Sequence, residues 1–356
     1  MPTVPPLLVR RCVLAPLMPV LAGIALVALP VTALVSGVVG VVGLARGARP
    51  RWRAVRVVTF ATVYLLGETI TLLGCLVLWV ATLGGLQSRR GWSQRGDAAL
   101  LRAFLGTLIA VAGPVFGLRL VVEEPARHPE DTAALAGPQP VVVLARHAGP
   151  GASFVLVHLL VARWHRRPRV VLKETLRLDP AIDVLLTRLG AGFIASPAPQ
   201  GVPARGEAVA AIELLARGLG EHDALLLYPE GADWTPRRHV RVVRRLRQRG
   251  LTDLARRASA ETHVLPPRSA GAAAALRGAP DALVAVVTHT GHDELTSAAA
   301  VWAALPLRAP LHLIWWRVPP AEVPSDEPAV QAWLQDTWSD IDAWVAEQQL
   351  LTAASS

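Results

Sequence analysis

Val141-Val142-Val143-Leu144-Ala145-Arg146-His147-Ala148-Gly149-Pro150-Gly151-Ala152-Ser153 opens the part of the chain with a readable fold. Val141 to Leu144 are four aliphatic residues in a row, without polar alternation, which is the pattern of a strand covered on both faces. Glycine and proline then break the run, and Phe154 to Trp164 reads as a helix. Strand, turn and helix in succession mark an α/β domain. A histidine between a buried strand and a glycine-rich turn sits on rigid scaffold with open space above it. Imidazole titrates near neutral pH, as a general base must. His147 is therefore the first candidate for chemistry.

The same texture continues outward. Further strands are expected at 169–172, 224–228, 283–288 and 311–318, and helices at 180–189 and 208–219. The segment 237–260 reads as one very basic helix or a pair. A closing amphipathic helix is expected at 331–348, with Trp333, Trp338, Ile341 and Trp344 on its apolar side. Before residue 97 the chain is different. Val13 to Leu44 carries no charge, and Val57 to Leu86 carries only Glu68. A bilayer core needs about 20 helical residues, so each run is long enough to span. Pro30 predicts a kink or a re-entrant hairpin in the first run. Glu68 reads as a bundle-facing or protonated carboxyl in preference to a functional intramembrane carboxylate. A third apolar stretch, 98–122, is broken by Arg102, Pro114 and Arg119 and reads as an interfacial or core helix leading into a strand. The expected division is a membrane anchor at 1–96 and an α/β domain at 97–350. Arg46, Arg49, Arg51, Arg53 and Arg56 between the runs favour the cytoplasmic side. Arg10 and Arg11 before them, and Arg89, Arg90 and Arg95 after them, give the opposite orientation for simple spans. Hairpins entering and leaving on one face would reconcile the two.

Composition agrees with a mixed protein. Of 356 residues, 52% are hydrophobic and 18% charged, too apolar for a soluble enzyme and too charged for a wholly embedded one. The net charge of +9 suits an anionic partner, either nucleic acid or a membrane surface. The dominance of Ala, Val, Arg, Leu and Pro looks like the codon bias of a GC-rich genome, which weakens that inference. Lys173 is the one lysine, so an ammonium there is worth noticing. Cys12 and Cys75 form neither a metal framework nor an obvious disulfide staple.

Three more segments carry candidate chemistry. Tyr228-Pro229-Glu230-Gly231-Ala232-Asp233-Trp234-Thr235 follows an apolar strand; its glycine allows close backbone approach and its Glu can accept from a hydroxyl-rich ligand. Lys173-Glu174-Thr175-Leu176-Arg177-Leu178-Asp179-Pro180 offers two cations to a phosphate. His263-Val264-Leu265-Pro266-Pro267-Arg268 is a strand ending in a rigid turn. His289-Thr290-Gly291-His292 has two histidines three apart but no third ligand group, and reads as a loop after a strand rather than a metal site. The arginine-rich run 237–249 has apolar residues at 240, 243 and 246 that mark a buried stripe. It fits anionic lipid headgroups or the phosphates of CoA better than nucleic acid, and a solvated basic face remains the plain alternative.

In order and spacing, the four segments together resemble the lysophospholipid acyltransferase family, of the 1-acylglycerol-3-phosphate acyltransferase-like, actinobacterial type. The resemblance covers about 139–275. It implies a glycerolphosphate-acyltransferase-like mixed sheet flanked by helices. It also implies transfer of a fatty acyl group from acyl-CoA or acyl-carrier protein to the free hydroxyl of a lysophospholipid, lysophosphatidate to phosphatidate in the first instance. His147 would be the base. Lys173 and Arg177 would bind the phosphate, and Glu230 and Gly231 would shape the glycerol-phosphate site. Arg237 or Arg238 would stand in for the family's arginine after Pro-Glu-Gly, and Pro267 with Arg268 would shape the donor side. No metal or bound cofactor is implied, and no nucleic acid. The location implied is the cell membrane, with the site on the cytoplasmic side. The family's Asp, five residues after the His, is Ala152 here, which leaves Glu174 or Asp179 as candidate substitutes. The alternative is a catalytically weakened or inactive membrane lipid-binding homologue.

Overall fold

A computed structural model describes residues 4–45, 52–87, 91–124, 130–149, 151–194 and 203–354. Arg46, Arg49, Arg51, Arg89, Arg90 and Pro150, used in the sequence reading, lie outside them. The chain forms two compact units. One comprises Met1–Arg119, Leu172–Ala191 and Val301–Arg308; the other comprises Leu120–Val171, Gly192–Ala300 and Ala309–Ser356. This division differs from the boundary expected at residue 96, and the reason is local to the first unit.

That helical unit is led by three long helices: α1 (Leu7–Ala45), α2 (Arg53–Ala81) and α3 (Gly91–Phe116). At 39, 29 and 26 residues, each is long and apolar enough to cross a membrane. α1 exposes Leu8, Val27, Val31, Leu34 and Val38, and α2 exposes Leu73, Val77 and Val80. Such apolar flanks suit lipid contact. Of the two alternatives for the first run, one is excluded. Pro30 lies inside a continuous helix, so no hairpin turns there. The third apolar stretch forms a helix that ends at Phe116 and is followed by a strand at Leu120, as expected; because the helix starts at Gly91, it is also of membrane length.

The segment Leu172–Ala191 joins these helices through polar groups. It holds a short 3₁₀ turn (Glu174–Leu178) and a helix, α6 (Pro180–Arg188). Asp179 caps α6 by accepting from Ile182 N at 2.9 Å and also accepts from the Tyr64 hydroxyl on α2. Glu68, fully buried, accepts from Ala181 N at 3.0 Å, so the mid-run carboxylate is bundle-facing and caps the same helix. Asp183 meets Arg10 at 2.7 Å, Arg11 at 3.0 Å and Arg177 at 2.9 Å. Arg188 pairs with the buried Asp97 of α3 at 2.9 Å and donates to Cys75 O at 3.0 Å.

In the sheet unit the elements run β1 (Leu120–Glu123), α4 (Glu130–Ala136), β2 (Val141–Ala145), α5 (Ala152–Ala162), β3 (from Arg167, reaching Lys173), β4 (Gly192–Ile194), α7 (Pro203–Arg217), β5 (Asp223–Leu227), α8 (Pro236–Gln248), α9 (Thr252–Ala260), α10 (Ser269–Gly278), β6 (Leu283–Thr290), α11 (Ala298–Ala304, its last part grouped with the helical unit), β7 (Leu311–Val318) and α12 (Glu327–Ala354). The seven strands form one sheet in the order β1-β7-β6-β2-β5-β3-β4. β6, β2, β5 and β3 are parallel neighbours, and β7 pairs antiparallel with β6, so the sheet is mixed. β2 and β5 are buried along their whole length, as the aliphatic runs at 141–145 and 224–227 require, and the buried Asp223 that opens β5 is matched by Arg167 and Arg169. Alternate residues serve opposite faces. Val142, Leu144, Leu225 and Leu227 join α7, α10 and α12 in one core, with Trp338, Ile341 and Val345 from α12. On the other face Val141, Val143 and Val287 meet Leu160 of α5 and Trp164.

The Asp97–Arg188 pair gives a direct test. Arg188→Met strands a buried carboxylate and should cost about 3–5 kcal/mol, read as a lowered thermal midpoint in detergent. Adding Asp97→Leu should recover most of the loss; no recovery would mean the pair is not the unit of stability.

Candidate functional site

Strand register builds the site. Val141 pairs with both Ala224 and Leu283, and Leu144 with both Leu227 and Val286. β2 and β5 therefore end side by side, and the chain leaves both at the same edge of the sheet. Carboxyl ends of parallel strands are where α/β folds place ligand sites. Past β2 comes His147, and past β5 comes the Tyr228–Thr235 turn. The two loops stay in contact: Trp234 N donates to His147 O at 2.6 Å, and Ala148 and Trp234 form a parallel bridge.

That contact carries Asp233 to the histidine. Asp233 Oδ1 lies 3.0 Å from His147 Nε2. The His147 side chain is 21% exposed and that of Asp233 44%, so the pair is open to solvent on one side. The Tyr228 ring stacks on the imidazole, with centroids 4.3 Å apart and planes 28° from parallel. A carboxylate on one ring nitrogen fixes the tautomer and stabilises the imidazolium. The expectation that Glu174 or Asp179 would supply this group is corrected: the carboxylate on His147 is Asp233, while Asp179 is engaged by Tyr64 and the first turn of α6. Ala152 is buried at the start of α5.

Beneath the histidine lie two buried charges. Glu230 is 2% exposed. Its Oε1 accepts from Trp338 Nε1 at 3.1 Å and His147 N at 3.3 Å, and its Oε2 from Leu265 N at 3.3 Å. Burial pushes its carboxyl up to about 7, against the pull of Arg146 and these donors. Glu230 thus shapes the site as a brace between β2, α12 and the Leu265 segment. Arg146, fully buried, donates to Asp293 Oδ1 and His289 O, both at 2.5 Å, and to His263 O at 2.6 Å. Asp293 also accepts from the Thr290 hydroxyl and from Gly291 N at 3.3 Å. His289 faces Arg146 O at 3.2 Å, and His292 faces Ala309 O at 3.1 Å. The two histidines are therefore occupied in the wall of the loop, and no cluster of three or more potential metal ligands occurs among the described residues. Gly149, at φ +71°, passes so close that a Cβ would lie 2.7 Å from His292 O, so only glycine fits.

The cationic candidates divide. Arg268 is exposed, with its guanidinium against Gly231: a Cβ there would stand 3.2 Å from Arg268 Nη1. Arg268 N donates to Pro229 O at 2.9 Å, and Pro267 is buried beside it. Arg238 donates to Asp233 O and so grips the loop that carries the carboxylate. Arg237 is exposed on α8. Lys173 and Arg177 belong to the helical unit, where Lys173 is exposed and Arg177 pairs with Asp183. The structure therefore gathers His147, Glu230, Gly231, Arg238, Pro267 and Arg268 at one edge of the sheet. It adds Tyr228 and Asp233 as ring partners of His147, and Arg146 and Asp293 as the support behind it. No protein-family model matches the chain, and no curated protein matches it.

Burial, then Arg146, pushes His289 down from 6.5 to about 3. Its folded-state value lies below the unfolded one, so the unfolded chain takes up the proton first. The stability it contributes is full above pH 6.5 and drains away as pH falls toward 3. Thermal midpoints in detergent should fall from pH 7 to pH 5, and His289→Gln should flatten that fall. An equal slope in both proteins would remove His289 as the cause.

Proposed function

We propose that the protein transfers a fatty acyl group from acyl-CoA or acyl-carrier protein to the free hydroxyl of a lysophospholipid, with lysophosphatidate giving phosphatidate as the first case to test. It would belong to the lysophospholipid acyltransferase family and act at the cell membrane, with its site on the cytoplasmic side. The observation that carries the reading is the 3.0 Å contact between Asp233 and His147, because it supplies the carboxylate that the His-(four residues)-Asp motif lacks at Ala152. Three membrane-length helices in the same chain add support, since the acceptor is a membrane lipid.

In this mechanism His147 takes the proton from the acceptor hydroxyl, and Asp233 stabilises the imidazolium. The hydroxyl oxygen attacks the thioester carbonyl and forms the new C–O bond. The C–S bond breaks, and the departing thiolate recovers the proton from His147. Arg268 and Arg237 offer positive charge to the phosphates of acceptor or donor. Lys173 and Arg177 are held as phosphate ligands on the resemblance alone. A second reading, a lipid-binding homologue without activity, is favoured by Ala152.

The test is acyl transfer by the purified, lipid-reconstituted protein with lysophosphatidate and long-chain acyl-CoA. The natural protein should form phosphatidate, and His147→Ala should abolish it. Asp233→Asn should slow it on the order of 10²- to 10⁴-fold. Ala152→Asp should add little, because the histidine already has its carboxylate. A sharp gain from Ala152→Asp would identify a weakened enzyme. No product across both donor types and several lysolipids would leave the lipid-binding reading.

A further inference from the structure

Helix α8 begins three residues beyond Asp233, capped by the Thr235 side chain on Arg238 N at 3.2 Å. Its 13 residues carry Arg237, Arg238, Arg241, Arg244, Arg245 and Arg247 and no acid. Some of these are committed within the fold. Arg238 holds Asp233 O, Arg247 donates to Ser259 Oγ at 3.1 Å, and the His239 ring meets the Ala258 and Glu261 carbonyls at 2.7 and 2.9 Å. Val243 is the one buried residue of the helix. Arg237, Arg241, Arg244 and Arg245 remain: at i, i+4, i+7 and i+8 they share one face, and all four are exposed. No side-chain hydrogen bond or ion pair of these four occurs among the described residues. Like charges at this spacing repel, so the face lowers its energy by meeting an extended anionic surface.

We propose that this arginine face is the surface by which the sheet unit docks on an anionic lipid bilayer. Charge complementarity is the first argument. The second is the apolar side chain at the margin of the arginine stripe, Val240, which is 66% exposed rather than part of the expected buried stripe, of which Val243 alone is buried; Leu251, just past the helix, is exposed as well. An interface of headgroups over acyl chains accepts both kinds of group, whereas a nucleic-acid backbone accepts only the charges. The third is extent. The four guanidiniums are strung over more than two helical turns, on the order of 12 Å of axis, farther apart than one phosphate group can contact together. The fourth is the chain itself, whose three membrane-length helices keep a bilayer at high effective concentration. The inference is independent of acyl transfer.

The exposed Arg249-Gly250 bond, in the turn after α8, reports on docking without any label. The natural protein would be placed in discs of phosphatidylcholine alone, and in discs with a third of the lipid as phosphatidylglycerol. The rate of tryptic cleavage at Arg249 would then be compared. Each basic group near an anionic surface contributes about a fivefold preference. Cleavage should therefore be at least about tenfold slower in the anionic discs. Molar salt should remove the protection, and so should the triple variant Arg241→Gln, Arg244→Gln, Arg245→Gln. Equal cleavage in the two kinds of disc would overturn the proposal, as would protection that survives in the triple variant. Protection by duplex DNA but not by phosphatidylglycerol would overturn it in favour of nucleic acid.

Discussion

The buried guanidinium of Arg146 is the constraint on which the site depends. A charge taken out of water must be matched in the interior, and the cost of leaving it unmatched exceeds that of any single surface contact. Arg146 is the last residue before His147, so whatever satisfies it also fixes the base of the catalytic candidate. Asp293 neutralises it, and the His289 and His263 carbonyls fill its remaining donors. One side chain thus commits the end of β2, the end of β6 and the segment before Pro266 to a single arrangement. Glu230 makes the complementary commitment from the acidic side, drawing His147 N, Leu265 N and Trp338 toward one carboxylate. Between these two charges the His147 backbone has little freedom, which is what positioning for chemistry demands.

The helical unit follows the same logic with different partners. Its long helices are apolar outward and carry a few buried acids inward: Glu68 on α2 and Asp97 on α3. α6 supplies their partners, through a backbone amide for the first and Arg188 for the second. Asp183 returns the favour to Arg10 and Arg11 at the start of α1. A short amphipathic helix is held among apolar ones by hydrogen bonds and ion pairs, which gain strength where water is scarce.

The sequence made the α/β architecture readable because β2, β5, β6 and β7 announce themselves as apolar runs separated by turn residues. The shorter strands showed less: Leu120–Glu123 was legible only as the strand into which the third apolar stretch leads, and Gly192–Ile194 is too brief to show a period. α10 escaped because its alanines are apolar on every side, and its burial on most sides is a tertiary outcome. The histidine and the Tyr-Pro-Glu-Gly turn were legible as separate segments. The role of Asp233 was not, because its approach to His147 depends on the β2–β5 register and on the Ala148–Trp234 bridge. The grouping of Lys173 and Arg177 with the helices was equally hidden, since it rests on partners in α1, α2 and α3. His289 and Asp293 read as an idle loop, and only the burial of Arg146 explains them.

The central claim is that His147 and Asp233 act as one unit. The most direct measurement is a double-mutant cycle on the acyl-transfer rate with His147→Ala, Asp233→Asn and the pair combined. The account predicts that the combined variant is no slower than His147→Ala alone, because the carboxylate has no task once the imidazole is gone. Losses that multiply would contradict it, as would an Asp233→Asn variant with the natural rate.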